Sequence, residues 1–336
     1  MYIVTGGAGF IGSAFVHKLN ENGIRDILIV DNLGKSEKWK NLPGLQYSDY
    51  IHKDDFLQMV MDDSLGRGIK GLIHMGACSS TVESDMDYLL ANNYRYSIAL
   101  ADYALRHKIR FIYASSAATY GSGAKGYCDS HETIQELRPL NRYGYSKQLF
   151  DLWALKNKHL DRMAGIKFFN VYGPNEYHKN EMRSVVHKAF MQIRDSGKVR
   201  LFKSYLPEYA DGEQQRDFLY VIDAVNLLWW FLQNPQINGI FNAGSGEART
   251  WNSLVRAIFA ALNQEVQIEY IEMADTLRRQ YQYYTRADMK KVRESGFTLP
   301  FHSLEDGVRD YVKKFLLSES PYLACSPANT PGLSPR

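Results

Sequence analysis

The sequence feature that most constrains the fold is a glycine-rich turn close to the N-terminus. An apolar run at residues 2–4 leads into TGGAGFIG, which spaces Gly6, Gly9 and Gly12 three residues apart and is followed by apolar residues at helical spacing. Glycine at such positions lets the backbone turn tightly and approach a ligand, and the N-terminus of the next helix favours an anion. A glycine triplet also occurs in plain tight turns, but the strand–turn–helix context predicts a site for a dinucleotide pyrophosphate.

The first half of the chain alternates short apolar runs with longer amphipathic segments. Further strand candidates lie at residues 26–30, 71–75, 110–115 and 165–170, and helical patterns lie around 85–106 and 144–160. Apolar strands separated by helices predict an α/β fold, a doubly wound parallel sheet of the Rossmann type with helices on both faces.

After residue 170 the alternation of strand and helix patterns becomes less regular, which predicts a second structural unit. We predict a dinucleotide-binding domain over residues 1–170 and a smaller, mixed α/β substrate-binding lobe over most of 171–317. Some segments of that lobe are expected to return to the first domain. Residues 318–336 are rich in serine and proline and predict a mobile tail.

Bulk composition excludes several classes of function. The 336 residues carry 40 basic and 37 acidic side chains, and a net charge of +3 is too balanced to indicate a nucleic-acid or membrane partner. Cys78, Cys128 and Cys325 are widely spaced and odd in number, which argues against a disulfide framework and a metal site. The start does not resemble a signal peptide, and no apolar run approaches the roughly 20 residues that span a bilayer. We expect a soluble protein of the cytoplasm.

The adenosine end of the expected cofactor site contains both an acidic residue and several lysines. Asp31 closes the second strand about 20 residues after the turn, where a carboxylate usually holds the ribose hydroxyls. Taken alone, this acid favours NAD, because a carboxylate repels a 2′-phosphate. Lys35, Lys38, Lys40 and Lys53 follow, and a lysine could instead hold that phosphate as a point charge. The residues alone leave NAD and NADP open.

A candidate catalytic trio lies further along the chain. Ser115 and Ser116 end a predicted strand at the carboxyl edge of the sheet, where ligands of open α/β folds bind. Tyr143 and Lys147 are four residues apart on a predicted helix, so their side chains share one face. A tyrosine with a pKa near 10 is a poor base at neutral pH, and a neighbouring ammonium would favour its phenolate. Such a pair also occurs by chance, but here it follows the glycine turn and the serine pair.

With these motifs the chain resembles the extended short-chain dehydrogenase/reductases, the NAD-dependent epimerase/dehydratase branch that modifies nucleotide sugars, up to residue 317. In that family the strand-end serine, here matched by Ser116, acts together with the tyrosine and the lysine. Dehydratases of the family carry an Asp–Glu pair beside this serine, whereas Ala117 and Ala118 stand here. The resemblance therefore disfavours elimination and leaves epimerisation or simple redox chemistry.

Longer runs narrow the resemblance. HMGACSSTVESD, NNYRYS and FFNVYGPNEYHK are similar to runs of the family members that invert C6″ of an ADP-activated heptose for the lipopolysaccharide inner core. The resemblance implies NADP as cofactor, ADP-heptose as substrate and a homo-oligomer, pentameric in the best-known relatives. The cofactor contacts that it implies are Gly6, Gly9, Phe10, Ile11, Gly12, Asp31, Asn32, Lys38, Lys53, Met75, Gly76, Ala77, Cys78, Ser79, Asn92, Lys147, Val171 and Lys179. The substrate contacts that it implies are Asn170, Glu181, Lys188, Phe202, Lys203, Ser204, Tyr205, Arg216 and Tyr281.

The resemblance also implies a second acid–base group, Lys179. When a carbinol carbon is inverted, its hydroxyl proton lies on opposite sides before and after the reaction. Two groups on opposite sides, Tyr143 and Lys179, therefore suit the reaction better than one. Taken alone, Lys179 resembles an ordinary solvated lysine, and the neighbouring His178 is a second candidate.

The substrate side leaves alternatives open. Arg216 suits a diphosphate oxygen by bidentate donation, although an ion pair within the protein would equally account for it. Glu181 and the run at 203–205 replace smaller residues of the relatives. Another nucleotide-sugar enzyme, such as a UDP-hexose 4-epimerase, therefore remains an alternative, as does a cofactor-binding scaffold without turnover.

Overall fold

The computed structural model describes residues 1–278 and 281–325. The strands of this described part are β1 (Tyr2–Thr5), β2 (Ile27–Asp31), β3 (Asp49–His52), β4 (Gly71–His74), β5 (Arg110–Ser116), β6 (Met163–Phe168), β7 (Asn170–Tyr172), β8 (Val199–Phe202), β9 (Gln215–Tyr220), β10 (Gly239–Ala243), β11 (Ala248–Thr250) and β12 (Ile268–Ile271). Its α-helices are α1 (Phe10–Glu21), α2 (Lys53–Met61), α3 (Met86–Leu89), α4 (Tyr96–Arg106), α5 (Arg142–Lys156), α6 (Val185–Ser196), α7 (Val221–Gln233), α8 (Trp251–Leu262), α9 (Asp275–Arg278), α10 (Lys290–Glu294) and α11 (Leu304–Tyr311). Short 3₁₀ turns occur at Glu37–Asn41, Ala117–Tyr120, Ile134–Glu136, His159–Asp161 and Tyr177–Met182, and π-helical turns at Leu90–Arg95 and Val312–Leu316.

The main sheet is parallel throughout. Within the described residues it has seven strands in the order β10-β6-β5-β4-β1-β2-β3. The direction of winding reverses between β1 and β4, and ligands of such sheets bind at the carboxyl ends of the strands beside this reversal. The predicted doubly wound α/β fold is confirmed.

Both faces of this sheet are covered, which explains the continuous apolar runs of its strands. Alternate residues face opposite ways: Leu28 and Leu72 belong to one hydrophobic core, and Ile29 and Ile73 belong to the other. Helices α1 and α7 pack on the face of Ile29, while α2, α4 and α5 pack on the face of Leu28. No helix in the described ranges combines the length and the apolarity needed to cross a membrane.

One edge of the main sheet was not predicted. Strand β3 pairs in parallel with β2, but its residues are only partly buried. An edge strand that faces solvent needs no continuous apolar run, so the run-based prediction missed it.

The second half of the chain adds smaller sheets and also contributes to the first. Strands β11, β9 and β7 form a three-stranded sheet, and β12 pairs with β8. In contrast, β10 is the neighbour of β6 in the main sheet, and α7 packs against α1. The division of the chain at residue 170 stays a prediction, and these two elements are segments that return across it.

The C-terminal end of the described chain is packed against residues from both sides of the predicted boundary at residue 170. Leu323 is buried, and its N–H donates to Asn175 Oδ1 at 3.0 Å. The N–H of Cys325 donates to the carbonyl of Gly44 at 2.8 Å. These contacts contradict the mobile tail predicted over residues 318–336, as far as Cys325. The prediction failed because a single leucine in a segment rich in serine and proline does not indicate that its side chain is buried. The rest of that predicted tail lies outside the described residues.

Candidate active site

The glycine turn joins β1 to α1 through very close backbone contacts. Gly6 has a φ of +67°, and a Cβ there would lie 2.6 Å from the backbone nitrogen of Gly76. A Cβ at Gly12, in the first turn of α1, would lie 2.0 Å from the carbonyl oxygen of Gly6. Gly9, the N-cap of α1, has no side chain that could cap the helix, so the first N–H groups remain available to an anion. A side chain would fill this cradle, and the open backbone fits a pyrophosphate.

The turn forms one wall of a cleft of about 460 Å³ at the carboxyl ends of the strands. A smaller cavity of about 120 Å³ adjoins it and shares Asp31 and Lys38 with it. Every residue that the resemblance assigned to the cofactor lines one of these two spaces. The smaller cavity accounts for Asn32, Lys53 and Asn92, and the cleft accounts for the others.

Several residues of the cleft were not predicted. Ala114, Phe168, Phe169 and Met182 also line it. Phe168 ends β6 and Phe169 follows it, so the rule that ligands bind at the carboxyl ends of parallel strands could have identified both. Met182 comes from the 3₁₀ turn Tyr177–Met182, and no pattern in the sequence distinguished it.

The carboxylate of Asp31 already has partners within the protein. One oxygen accepts the N–H of Ala8 at 2.9 Å, and the other accepts the N–H of Asn32 at 2.7 Å. Lys38 Nζ lies 2.8 Å from that second oxygen. Lys40, two residues on, pairs with Glu37 instead and does not line the cleft. The adenosine end of the site therefore presents a neutralised carboxylate together with Lys38 and, in the adjoining cavity, Lys53.

Local packing brings the predicted trio together. Asn141 caps α5 by accepting the N–H of Gly144 at 2.8 Å, which places Tyr143 in the first turn of the helix. A Cβ at Gly144 would lie 2.8 Å from the carbonyl oxygen of Ala118, so glycine lets α5 approach the turn that follows Ser116. Ser116, Tyr143 and Lys147 consequently line the same cleft.

The environment of the trio shifts two pKa values in opposite directions. Burial raises the pKa of Tyr143, and its hydrogen bond with the Ser116 hydroxyl opposes that rise. Burial lowers the pKa of Lys147 from 10.5 to about 8, with Asp151 raising it and Lys167 lowering it further. A buried ammonium next to a partly buried phenol is an arrangement that can exchange and hold a proton near neutral pH.

Lys179 lines the same cleft as the trio. It lies on the 3₁₀ turn Tyr177–Met182, and its Nζ is 5.4 Å from the centroid of the Phe10 ring. Burial lowers its pKa, and the nearby Glu176 carboxylate opposes the shift. Glu176 is itself fully buried and accepts the hydroxyl of Ser184 at 2.7 Å. The lysine is therefore no ordinary solvated side chain.

His178, the competing candidate, lines the cleft beside Lys38. Burial, reinforced by Lys38 and Lys179, lowers its pKa to about 4. Its Nδ1 lies 3.4 Å from the side-chain amide of Asn41. A histidine that stays neutral at neutral pH, next to the adenosine end, fits a structural role better than proton transfer.

Two of the predicted substrate residues, Arg216 and Tyr281, pack against each other outside the lining of the main cleft. Arg216 is buried, and its guanidinium lies 5.6 Å from the ring of Trp251 and 5.3 Å from the ring of Tyr281. It donates to the carbonyls of Gln215, at 2.8 Å, and Gln282. No carboxylate within the described ranges pairs with this arginine, so the alternative of an internal ion pair is wrong.

The other predicted substrate residues differ in how near they come to the cleft. Asn170 borders cavities on both sides of β7 and donates to the carbonyl of Asp217 at 2.9 Å. The rest lie outside the main cleft: Glu181, Lys188, Phe202, Lys203, Ser204 and Tyr205.

Protein partners already engage most of this outer group. The Glu181 side chain is 98% exposed, and Lys188 donates to its backbone carbonyl. Lys203 Nζ pairs with Glu272 at 2.8 Å, and Tyr205 also bonds that carboxylate. These residues therefore form a surface beside the site rather than its wall.

Across the described residues, no three His, Cys, Asp or Glu side chains are grouped so that they could hold a metal ion. The cleft instead combines a glycine cradle with hydroxyl and ammonium groups, which suits a dinucleotide and a polar substrate.

Comparison with known sequences agrees with this geometry. Residues 2–244 match the NAD dependent epimerase/dehydratase family. A protein of Nitratidesulfovibrio vulgaris (strain DP4) named ADP-L-glycero-D-manno-heptose-6-epimerase is 56% identical over 323 residues, which cover 96% of this chain and 100% of that protein. A protein of the same name from Fusobacterium nucleatum subsp. nucleatum is 48% identical over 332 residues, with 96% of this chain and 100% of the relative covered.

Two solved structures of epimerases superpose on this fold with similar TM-scores. The crystal structure of Helicobacter pylori ADP-L-glycero-D-manno-heptose-6-epimerase superposes with a TM-score of 0.77 at 27% identity, covering 93% of this chain and 94% of that one. The UDP-glucose 4-epimerase of Thermotoga maritima, solved with UDP-glucose, gives 0.75 at 26% identity, with coverages of 93% and 97%.

The glycine cradle generates a prediction about cofactor affinity. Gly12→Ala would place a methyl group 2.0 Å from the carbonyl oxygen of Gly6, so the turn must shift away from its pyrophosphate-binding position. We expect the affinity for a nicotinamide dinucleotide, measured by isothermal titration calorimetry, to fall at least about tenfold. Gly197→Ala is the control, because it adds the same methyl group at the end of α6, where no atom beyond its chain neighbours lies within 4 Å. Equal affinities in the two variants would contradict the prediction.

Proposed function

This chain belongs to the NAD dependent epimerase/dehydratase family, and from that premise we propose that it converts ADP-D-glycero-β-D-manno-heptose into ADP-L-glycero-β-D-manno-heptose. The product is the activated heptose of the lipopolysaccharide inner core. The observation that carries the proposal is the full-length match, at 56% identity, to a protein that bears this enzyme's name. The trio Ser116, Tyr143 and Lys147 in one cleft supports it.

The first half of the proposed reaction removes a proton from the C6″ hydroxyl. A nicotinamide cofactor, when bound, supplies acceptance and return of a hydride at that carbon. Tyr143 takes the hydroxyl proton, and Ser116 holds the same oxygen through a hydrogen bond. Ser116 Oγ accepts the N–H of Ala118 at 3.1 Å, and its hydroxyl is also hydrogen-bonded to Tyr143, which orients it towards the reacting group. The ammonium of Lys147 stabilises the phenolate form of Tyr143.

The second half of the proposed reaction returns the proton on the other side of the sugar. We propose Lys179 as the group that delivers it. It lines the same cleft as Tyr143, and burial lowers its pKa, which supports a role in proton transfer. The transient C6″ carbonyl would then receive its proton from Lys179 rather than rotating past Tyr143.

The diphosphate and the sugar are proposed to lie against the second lobe. Arg216, held between two aromatic rings, is proposed to bind diphosphate oxygens together with Tyr281. Asn170 is proposed to bind the sugar, with Glu181, Lys188 and residues 202–205 closing the outer side. We also propose that the protein acts as a homo-oligomer, as the resemblance implies.

NADP is the proposed form of the cofactor. The finding that supports it is that Asp31 is neutralised by Lys38 and two backbone N–H groups, so its charge would repel a 2′-phosphate less. Lys38 and Lys53 are the cations proposed to hold that phosphate.

Substrate specificity is the direct test of the proposal. The purified protein is incubated separately with ADP-D-glycero-β-D-manno-heptose and with UDP-glucose, and epimer ratios are followed by NMR. We expect the heptose to reach an equilibrium mixture of C6″ epimers and UDP-glucose to stay unchanged. Conversion of UDP-glucose alone would replace the proposal with a hexose 4-epimerase, and no conversion of either would favour a scaffold.

The two proposed acid–base groups generate a prediction about turnover. Tyr143→Phe and Lys179→Met should each lower kcat at least about 100-fold, because each removes a proton-transfer group, while bound cofactor is retained. Lys198→Met is the control, since Lys198 is an exposed partner of Glu269 at 2.6 Å. Full activity of Lys179→Met, measured by the same NMR assay, would rule out the two-base mechanism.

The adenosine end generates a prediction about cofactor choice. Lys38→Met should weaken NADP binding at least about tenfold and NAD binding much less, because a lysine ammonium on a 2′-phosphate is lost only for NADP. Lys40→Met, two residues on in the same turn, should change neither affinity. Fluorescence titration of the reduced cofactors measures both. An equal loss of both affinities would assign Lys38 a purely structural role.

A further inference from the structure

A fully buried ion pair lies directly beneath the catalytic trio. Lys167 Nζ, from β6, is 2.6 Å from Asp151 Oδ2, from α5, and both side chains are 0% exposed. The carboxylate also accepts the hydroxyls of Ser115 at 2.7 Å and Tyr113 at 3.0 Å. Lys167 has a further acceptor in Thr119 Oγ1 at 2.6 Å. Every oxygen of Asp151 is therefore in use.

Lys147 lies one helical turn before Asp151 on the same face of α5. This four-residue spacing normally lets a lysine and a carboxylate pair. In the part of the chain that the structure describes, however, no carboxylate lies within ion-pairing distance of Lys147 Nζ. Lys147 instead lines the cleft, and Lys167 from β6 pairs with the Asp151 carboxylate.

We propose that Lys167 is a positioning residue that keeps Asp151 from capturing Lys147. By pairing with Asp151 from β6, Lys167 leaves the Lys147 ammonium free to face the cleft and to stabilise the phenolate of Tyr143. This role rests on the proposed function, in which Lys147 serves Tyr143. It explains why a charged pair is placed under the site, although an apolar pair would fill the same space at lower desolvation cost.

The charges around Lys147 fit this role. Asp151 faces it from its own helix and Lys167 from β6, and these two act on the pKa of Lys147 in opposite directions. His74, from β4, is buried between Thr5 and Ser97, and burial lowers its pKa to about 3, so it stays neutral.

Removing Lys167 should upset this balance in a defined direction. In Lys167→Met, Asp151 keeps its hydroxyl donors but loses its cation, so Lys147 becomes the nearest counterion. The lysine then turns away from the cleft and holds its proton more tightly. We expect the midpoint for deprotonation of Lys147 to rise by about one pH unit and kcat to fall at least about tenfold.

The decisive comparison is with a double variant. Asp151→Asn together with Lys167→Met removes both charges, so nothing draws Lys147 away from the cleft. We expect the midpoint to return to the wild-type value and kcat to recover at least half of its loss on a logarithmic scale. Lys167→Arg, which keeps the pair, should resemble the wild type. Lys156→Met, an exposed change at the end of α5, is the control.

The midpoint is measured on cofactor-free protein by competitive labelling with acetic anhydride over a pH series, followed by mass spectrometry of the peptide that contains Lys147. This measurement needs no substrate, so it still reports on Lys167 if the heptose proves to be the wrong substrate. The kcat arm uses the heptose assay and fails for every variant, the wild type included, if the proposed function is wrong.

Two outcomes would overturn the role of Lys167. An unchanged midpoint in Lys167→Met would show that Asp151 does not compete for Lys147. A double variant that is as impaired as the single variant, or more so, would show that the pair only supports the fold. If Lys167→Met does not fold, the double variant decides alone: a wild-type midpoint supports the role, and a shift of about one pH unit or more overturns it.

Discussion

Close approach between backbones is the constraint on which the rest of this structure depends. The turn after β1 fits only because glycine stands where α1 crosses Gly6 and where Gly76 passes beside it. The same contacts fix the neighbouring loop, since the N–H of Gly76 also reaches the hydroxyl of Thr5 at 3.3 Å. With these ends held, the carboxyl edges of β1, β4 and β5 open into one crevice. The cofactor cleft therefore exists because the glycines of the turn have no side chains.

Burial is the main cause of the shifted pKa values of the titratable side chains in the cleft. The cleft withdraws a tyrosine and two lysines from water, which raises the pKa of Tyr143 and lowers the pKa values of Lys147 and Lys179. Both lysines carry carboxylates nearby, Asp151 and Glu176, that restrain the shift without pairing with them at close range. Each lysine therefore experiences burial and a nearby carboxylate that act on its pKa in opposite directions.

The sequence predicted the fold, and the position of the cleft at the carboxyl ends of the strands, because these features depend on local patterns. Apolar runs identified every strand at the centre of the main sheet, and the rule about carboxyl ends placed Ser116 correctly. The edge strand β3 was not predicted, because its partly exposed residues do not form a continuous apolar run. The pair of Asp151 and Lys167 escaped because its partners come from separate elements, and no spacing along one chain segment reveals such a pair.

The substrate side was harder to predict for a related reason. The resemblance assigned roles to Lys203 and Tyr205, but the structure shows Glu272 already bonded to both. Residues that depart from a family pattern can form new contacts with each other, and these contacts involve segments far apart in the chain. Which of these side chains meet the ligand therefore stays a prediction.

The position of β10 limits how the two halves of this chain could be exchanged or expressed separately. A fragment that stopped at residue 170 would keep the glycine turn and the trio, yet β6 would become an unpaired sheet edge and α1 would lose its neighbour α7. Such an edge invites aggregation. The dinucleotide-binding half therefore depends on β10 and α7 from the second half and is not an independent module.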